Sequence, residues 1–325
     1  MGICDILYMD GGCSMVMKDS NFIESLKNLD KEKLAMIPKA DLHNHAVFSC
    51  GRDYLAMNNV DIPLDQRVNN ISDLINFARK YIKPLQNNKE GLSILLNGTF
   101  KKCLETGVTI VDTNIDYKIC IQVFDNNVSE FVNFLKDFTY ENLKVHWIID
   151  ISRDSYLQEY EEIIIELIKT GFFYGIDLTS TENCVPNIMF KNIYELANKS
   201  GLITKVHCGE QLGADYIKEC INDFNPKQIQ HGIRIVENED VMKLAKSKGI
   251  VFNVCPTSNL VLNYAKSLKE HPISYMVDYG LNVTIGTDDI LLFESDINDE
   301  YLKLYENKVL TAEQLDKIRE FSLRV

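Results

Sequence analysis

Two histidines separated by one residue, His43 and His45, close a short segment near the start of the chain. On an extended strand, residues i and i+2 project to the same face, so both imidazoles can approach one metal ion. His207, His231 and Asp288 close three later segments of the same kind. Neutral imidazoles combined with one carboxylate, with one position left for water, are typical of a catalytic zinc site.

Predicted strands are the elements that must position these residues. Short runs rich in β-branched residues recur along the chain, and a longer stretch with helical periodicity follows each one, which is typical of β-α units over a parallel sheet. The predicted strands span residues 39–45, 107–113, 143–151, 172–178, 202–207, 228–231, 250–254 and 283–287. Eight parallel strands predict an α/β fold of the (β/α)8 TIM-barrel type, whose active-site mouth lies at the carboxyl ends of the strands. Four of the six histidines and the pair Asp288-Asp289 are therefore expected at one mouth.

The predicted helices lie between these strands. Residues 238–248 are typical, because Asn238 is a suitable N-cap and Gly249 a suitable stop. The gap of about 60 residues between the first two strands is too long for one βα connection, so it predicts extra helices over the mouth, one of them at 71–81. We expect residues 1–35 to form an N-terminal appendage with a helix at 21–34, and residues 36–325 to form a single barrel domain.

Composition and charge limit the class of protein. The chain has 34 Lys and Arg against 47 Asp and Glu, a net charge of −13, and no basic block, which argues against nucleic-acid or membrane binding. Nine cysteines without a C-x-x-C pair favour reduced thiols in a cytoplasmic protein. The first residues lack a signal-peptide pattern, and no apolar run reaches the ~18 residues of a membrane span. We expect a cytoplasmic protein that acts on a small molecule, and the sequence indicates no protein partner.

Seven short segments, taken in order, resemble the adenosine deaminase family of metal-dependent aminohydrolases. They read PKADLHNH, GIDLTSTE, VHCGE, QHG, VCPTSN, HP and TIGTDD. Each motif alone is weak, but the ordered set is specific, and the resemblance extends over residues 37–301. It implies a (β/α)8 barrel that holds one zinc ion, Zn2+, per chain.

The resemblance also implies roles for individual residues. The implied zinc ligands are His43, His45, His207 and Asp288. Glu210 matches the general acid/base, His231 a residue beside the metal and its water, and Asp289 a residue near the purine N7. Ser180 replaces a family glycine whose backbone N–H serves the purine N3. A backbone donor survives this replacement, although the added side chain narrows the pocket.

The chemistry of these residue types is consistent with such roles. Replacing an aromatic amino group by oxygen needs a strong nucleophile at neutral pH, which zinc supplies by lowering the pKa of its water from 15.7 to about 7. A carboxylic acid at the purine N1, such as Glu210, makes the ring electrophilic. Spacing leaves open whether His231 hydrogen-bonds the hydroxide or is a fourth imidazole ligand, and we favour the first. Of two adjacent acids beside a metal, we expect Asp288 to bind as a carboxylate and Asp289 to keep a proton and donate it to a ring nitrogen.

Departures from the family concern the substrate and the number of metals. Val47 occupies the position of an acid that contacts ribose, so this sugar contact has no equivalent there. Another acid in the segment 48–89, such as Asp53 or Asp61, is the alternative. Residues 172–178 contain no lysine, which favours one metal over two. Arg153, after the third strand, is interpreted as an exposed loop residue, with a position at the mouth as the alternative.

These observations predict zinc-dependent hydrolysis of adenosine to inosine and ammonia. The alternatives are deamination of adenine, of an adenine nucleotide or of a modified adenosine, or a relative that binds a nucleoside without turnover. A related amidohydrolase that cleaves a cyclic amide or ester is less favoured, because the offset of Glu210 and the pair Asp288-Asp289 suit deamination.

Overall fold

Eight parallel strands form one sheet in sequential order in the computed structural model, which describes residues 20–63 and 68–325. The strands are β1 (Lys39–His45), β2 (Val108–Asp116), β3 (Lys144–Ser152), β4 (Gly175–Thr179), β5 (Ile203–Cys208), β6 (Gln228–His231), β7 (Val251–Val254) and β8 (Asn282–Ile285). The predicted TIM-type barrel is confirmed, and all eight predicted strands are present with boundaries that differ by a few residues. The largest shifts, of three residues, are at the end of β2 and at the start of β4, where Phe172 and Phe173 precede the strand. Phe173 is buried against Phe131, so its apolar character comes from packing outside the sheet.

The barrel closes between β1 and β8 at the carboxyl end of the strands. The N–H of Asp288 donates to the carbonyl of His43 at 2.9 Å, and the N–H of His45 donates to the carbonyl of Asp288 at 3.1 Å. Strand β8 ends before Thr287 because the Thr287 N–H and hydroxyl bind the carboxylate of Asp41, at 3.2 and 2.5 Å. Closure of the barrel therefore joins the residues expected to bind metal.

Helices surround the barrel and cover its mouth. The helices are α1 (Ser20–Lys27), α2 (Lys31–Ala35), α3 (Arg52–Met57), α4 (Ile71–Phe77), α5 (Lys83–Gln86), α6 (Lys89–Glu105), α7 (Lys118–Phe124), α8 (Val128–Lys136), α9 (Glu161–Lys169), α10 (Lys191–Lys199), α11 (Ala214–Phe224), α12 (Glu239–Ser247), α13 (Pro256–Val261), α14 (Ile273–Tyr279), α15 (Ile290–Phe293), α16 (Ile297–Glu306) and α17 (Ala312–Ser322). Helix α12 begins as predicted, since the Asn238 side chain accepts from the Asp240 N–H at 3.0 Å. None of the described helices is long and apolar enough to cross a membrane.

Two predicted helices are interrupted. The stretch 21–34 divides into α1 and α2 because Leu29 takes a left-handed conformation with φ 54° and Asp30 caps α2. The stretch 71–81 is helical only to Phe77 and continues as a π-helical turn over Ala78–Ile82 before α5. Helix α1 packs against α16 and α17, and α2 packs against α16. Residues 1–19 of the predicted appendage lie outside the described residues.

The interior of the barrel carries polar side chains, while the alternate strand positions are apolar and face the helices. Asn253 at the centre donates to the side-chain oxygens of Gln228 and Gln230, at 2.8 and 2.7 Å. Below the mouth, the Lys205 ammonium lies 2.7 Å from a carboxylate oxygen of Asp112. Each of these groups is buried and hydrogen-bonded, so the cost of burying them is offset.

Candidate active site

All four expected metal ligands meet at the carboxyl end of β1. The Nε2 atom of His43 lies 3.1 Å from Nε2 of His207 and 3.5 Å from Oδ1 of Asp288. The Nε2 atom of His45 lies 3.3 Å from the same Asp288 oxygen. Zinc bonds of 2.0–2.1 Å in a tetrahedral site separate neighbouring ligand atoms by about 3.3 Å. These donor types and spacings therefore fit one divalent ion.

The structure brings His231 to the same mouth. Two overlapping groups of donor atoms lie within 4.8 Å, one formed by His43, His207 and His231 and the other by His43, His45 and Asp288. His231 Nε2 lies 3.9 Å from Asp288 Oδ2, and burial lowers the pKa of the imidazole to about 3, which keeps it neutral. This position is compatible with both roles that the sequence left open for His231: a hydrogen bond to the hydroxide, or a fourth imidazole ligand.

Backbone conformation at the strand ends aims these side chains into the mouth. His231 and Asp288 both have φ of 60°, the left-handed region that residues other than glycine rarely occupy. Gly286 lies so close to β1 that a Cβ at this position would be 2.7 Å from the Cβ of His43. Such conformations persist where surrounding contacts hold them, and they are concentrated at functional sites.

A second layer of polar groups orients the imidazoles. The Asp177 carboxylate lies 3.1 Å from Nδ1 of His207, which leaves the Nε2 of that ring to face the cluster. Asp177 also accepts from Asn114 at 2.9 Å and from Gln230 at 3.0 Å. The contact with His207 and these hydrogen bonds outweigh burial, so the pKa of Asp177 is lowered and the group is a carboxylate.

Glu210 lies on the loop after β5, beside His231. Its Oε1 accepts from Nδ2 of Asn259 at 2.7 Å and lies 3.3 Å from Nδ1 of His231. Burial, followed by the negative charges of Asp288 and Glu182, raises the pKa of Glu210 well above its usual value. A raised pKa favours the protonated form of the carboxyl group, which a general acid requires.

The adjacent acids Asp288 and Asp289 have different surroundings. Asp288 accepts from the Ser258 hydroxyl at 2.6 Å, and the neighbouring histidines lower its pKa despite burial. Asp289 is also buried, and burial with the charge of Asp288 raises its pKa. Across the described parts of the chain, Asp289 Oδ1 has no hydrogen-bond partner. One acid is thus set to be a carboxylate and the other a protonated, unpartnered donor.

Ser180 follows β4 in the left-handed conformation, with φ of 71°. Its side chain is exposed, and its hydroxyl lies 2.7 Å from the hydroxyl of Ser152. The expectation that its backbone N–H meets the substrate stays a prediction.

A polar pocket of about 140 Å³ opens beside His45. It is lined by His45, Val47, Phe48, Lys83, Gln86, Asn87, Asn114, Asp116, Lys118, Gln122 and Asp150. Two carboxylates, Asp116 and Asp150, thus lie around Val47, whereas Asp53 lines a separate surface pocket with Lys102. Hydrogen-bond acceptors near Val47 therefore come from β2 and β3.

Arg153 is fully buried, so the interpretation of this residue as an exposed loop residue is wrong. Its guanidinium donates to the carbonyls of Leu178 and Thr179, both at 3.2 Å, and of His207 at 2.9 Å. The chain turns back after β3 and inserts this side chain between the ends of β4 and β5. Arg153 therefore stabilises the two strand ends that carry Ser180 and His207.

Arg153→Met is expected to lower the free energy of unfolding by about 3 kcal/mol, because three buried carbonyls each lose a donor at roughly 1 kcal/mol. Denaturant titration measures this loss. Arg79→Met, at an exposed arginine, is the matched control and should change the stability by less than about 0.5 kcal/mol. Equal effects of the two substitutions would contradict the assigned role of Arg153.

Three residues of the site went unassigned in the sequence: Asp177, Asn259 and Glu182. Each acts through hydrogen bonds to residues at least 28 positions away, a relation that no local spacing reveals. The sequence signal that could have identified these three residues is their position within the segments GIDLTSTE and VCPTSN.

Comparison with known proteins agrees with this geometry. The profile named adenosine deaminase matches residues 66–325. Adenosine deaminase of Plasmodium gallinaceum is 29% identical over 334 residues, which cover 92% of this chain and 90% of that protein. The crystal structure of an adenine deaminase from Arthrobacter aurescens has a TM-score of 0.74 at 22% identity, over 89% of this chain and 93% of that one.

A second crystal structure, of an amidohydrolase from Burkholderia ambifaria with bound Zn, has a TM-score of 0.73 at 18% identity, over 89% of this chain and 85% of that one. At these identities the two structures demonstrate a shared fold. The sequence match covers most of the chain and includes every expected site residue after β1. This chain therefore belongs to the adenosine deaminase family and is a hydrolytic deaminase.

Proposed function

We propose that the protein hydrolyses adenosine to inosine and ammonia with one zinc ion per chain. One observation carries this proposal: imidazoles and a carboxylate suited to a metal share a mouth with two carboxyl groups, Glu210 and Asp289, whose pKa values are raised. Metal ligands together with two proton donors suit the exchange of an amino group for oxygen on a nitrogen heterocycle.

His43, His45, His207 and Asp288 would hold the zinc ion, since their donor atoms have the types and separations that zinc binds. When bound, zinc supplies the Lewis acidity that makes water nucleophilic at neutral pH.

The protons are handled by the chain's own residues. Glu210 donates its proton to the purine N1, which makes C6 electrophilic, and the oxygen of water then bonds to C6. One proton of that water returns to Glu210 and the other leaves with the amino group, as the C6–N bond breaks and ammonia departs. His231, being neutral, accepts a hydrogen bond from the attacking water, and Asp289 donates one to N7.

The pocket beside His45 supports a nucleoside as substrate. Its lining combines acceptors with donors, as sugar hydroxyls require. Asp116 and Asp150 supply acceptors, while Gln86 and Asn87 supply amide donors.

A second candidate is deamination of free adenine. Val47 favours it, because an apolar side chain at the position of the family's ribose-contacting acid cannot accept a hydroxyl hydrogen bond. The two candidates differ in whether the pocket beside His45 contributes to binding.

We expect kcat/KM for adenosine to exceed that for adenine by at least tenfold, a difference of about 1.4 kcal/mol. The loss of adenine-type ultraviolet absorbance measures both rates, with deoxyadenosine and AMP as further substrates. Asp116→Asn should raise KM for adenosine about tenfold and leave the adenine rate unchanged, because only the nucleoside reaches the pocket.

Asp53→Asn is the matched control, since Asp53 lies on α3 and lines another pocket. It should leave kcat/KM for both adenosine and adenine unchanged. Adenine turned over at least as efficiently as adenosine would instead establish the free base as the substrate.

A further inference from the structure

Glu182, on the loop after β4, binds the backbone of the loop that carries Glu210. One oxygen of its carboxylate accepts the N–H of Glu210 at 2.8 Å and that of Gln211 at 3.1 Å. The other oxygen accepts the N–H of Leu212 at 2.9 Å. The link runs both ways, because the Glu182 N–H donates to Oε1 of Gln211 at 3.1 Å.

The Glu182 carboxylate is a buried negative charge, and the turn in which Glu182 itself lies does not require one. Glu182 is 7% exposed, and among the described residues its recorded partners are these three backbone amides. Burying a carboxylate is costly unless hydrogen bonds compensate it, and three successive N–H groups converging on one anion do so. The loop conformation that aligns the three amides is therefore coupled to the presence of the Glu182 carboxylate.

The side chain of Glu210 is held from a different element, helix α13. Asn259 donates to the Glu210 carboxyl at 2.7 Å, so the residue is held at its main chain by Glu182 and at its side chain by Asn259. A general acid must lie within hydrogen-bond reach of the atom it protonates, and a displacement of about 1 Å can cost 10²-fold in rate.

We propose that Glu182 is a positioning residue that sets the place of Glu210 through the backbone amides of residues 210–212. The proposal depends on the acid/base role of Glu210 in the proposed function. It predicts that Glu182 affects the chemical step and not the binding of metal or substrate.

Glu182→Gln and Glu182→Ala test the proposal. Glutamine keeps one acceptor oxygen but opposes its NH2 group to a backbone N–H, whereas alanine removes both acceptors. We expect kcat to fall about tenfold for glutamine and about 100-fold for alanine, with KM changed less than threefold and metal content unchanged. Glu182→Asp, which keeps the charge on a shorter side chain, should recover part of the kcat lost in alanine.

Amide hydrogen exchange of the peptide covering residues 208–213 gives a readout independent of activity. Exchange should be at least tenfold faster in Glu182→Ala than in the wild type, because the three amides lose their acceptor. Glu237→Gln is the matched control, since this exposed carboxylate binds Arg234 on the other side of the same loop. It should leave kcat and exchange unchanged.

Retention of kcat within twofold in both Glu182→Gln and Glu182→Ala would overturn the proposal, as would unchanged amide exchange. A loss of kcat accompanied by an equal loss of metal would also overturn it, because it would indicate a purely structural role. A different result would contradict the proposed function: Glu210→Gln would then keep normal turnover, regardless of the kcat values of the Glu182 variants.

Discussion

Glu210→Gln is expected to lower kcat by about 10²–10⁴-fold while metal content and fold stay as in the wild type. The amide has nearly the shape of the carboxyl group and can still face Asn259 and His231, but it has no acidic proton to give to the substrate ring. Burial raises the pKa of Glu210, which favours the protonated form that supplies this proton. Steady-state kinetics on adenosine, together with elemental analysis, measures both parts of the expectation.

Glu219→Gln is the control for this substitution, because Glu219 is an exposed carboxylate on α11, the helix that follows the loop carrying Glu210. It should change kcat by less than twofold. Near-normal kcat in Glu210→Gln would move the acid/base role elsewhere, and Asp289 is then the first residue to test, since it is buried with a raised pKa and an unpartnered oxygen.

The strand ends were the most predictable part of the site. His43, His45, His207 and His231 could be placed at one mouth because a parallel barrel fixes the direction of every strand, so the last residue of each predicted strand has a known location. The prediction tolerated boundary errors, as at β8, because Asp288 reaches the mouth through its hydrogen bonds with β1 and not through the length of its own strand.

The residues that support the mouth were much less predictable. Arg153 looked like a solvated loop residue because charged residues after a strand usually are exposed, yet its guanidinium satisfies three carbonyls in the interior. Glu182 and Asn259 contact Glu210 from two other βα loops. Such contacts depend on how far each loop extends beyond the barrel mouth relative to its neighbours. Neither hydrophobic periodicity nor motif spacing determines this.

The surroundings of Val47 illustrate the same limit. From the sequence, the candidates for a replacement acid are Asp53 and Asp61, in the segment that follows Val47. The structure places Asp116 and Asp150 at the pocket instead, from strands β2 and β3. Residues that are distant in sequence share the pocket because adjacent strands of the barrel end side by side.

Loss of the metal is expected to abolish turnover, and His207→Ala should lose both metal and activity. The substitution removes one donor of the cluster, at 3.1 Å from His43, and leaves Asp177 without its hydrogen bond to the imidazole. Elemental analysis of wild-type protein purified without added metal should give close to one equivalent of zinc per chain, and His207→Ala should give far less. Turnover should fall by more than about 10³-fold, because water at neutral pH is a poor nucleophile without Lewis acid activation.

His146→Gln separates loss of a ligand from loss of a buried histidine. His146 is also a buried barrel histidine, but its Nδ1 binds Asp112 at 2.7 Å and its ring stacks on Tyr174, away from the metal cluster. This control should keep its metal and its turnover even if its stability falls. Two equivalents of metal in the wild type, or unchanged metal in His207→Ala, would contradict the single site. Because imidazole must be neutral to bind, the wild type should release its ion progressively as the pH falls.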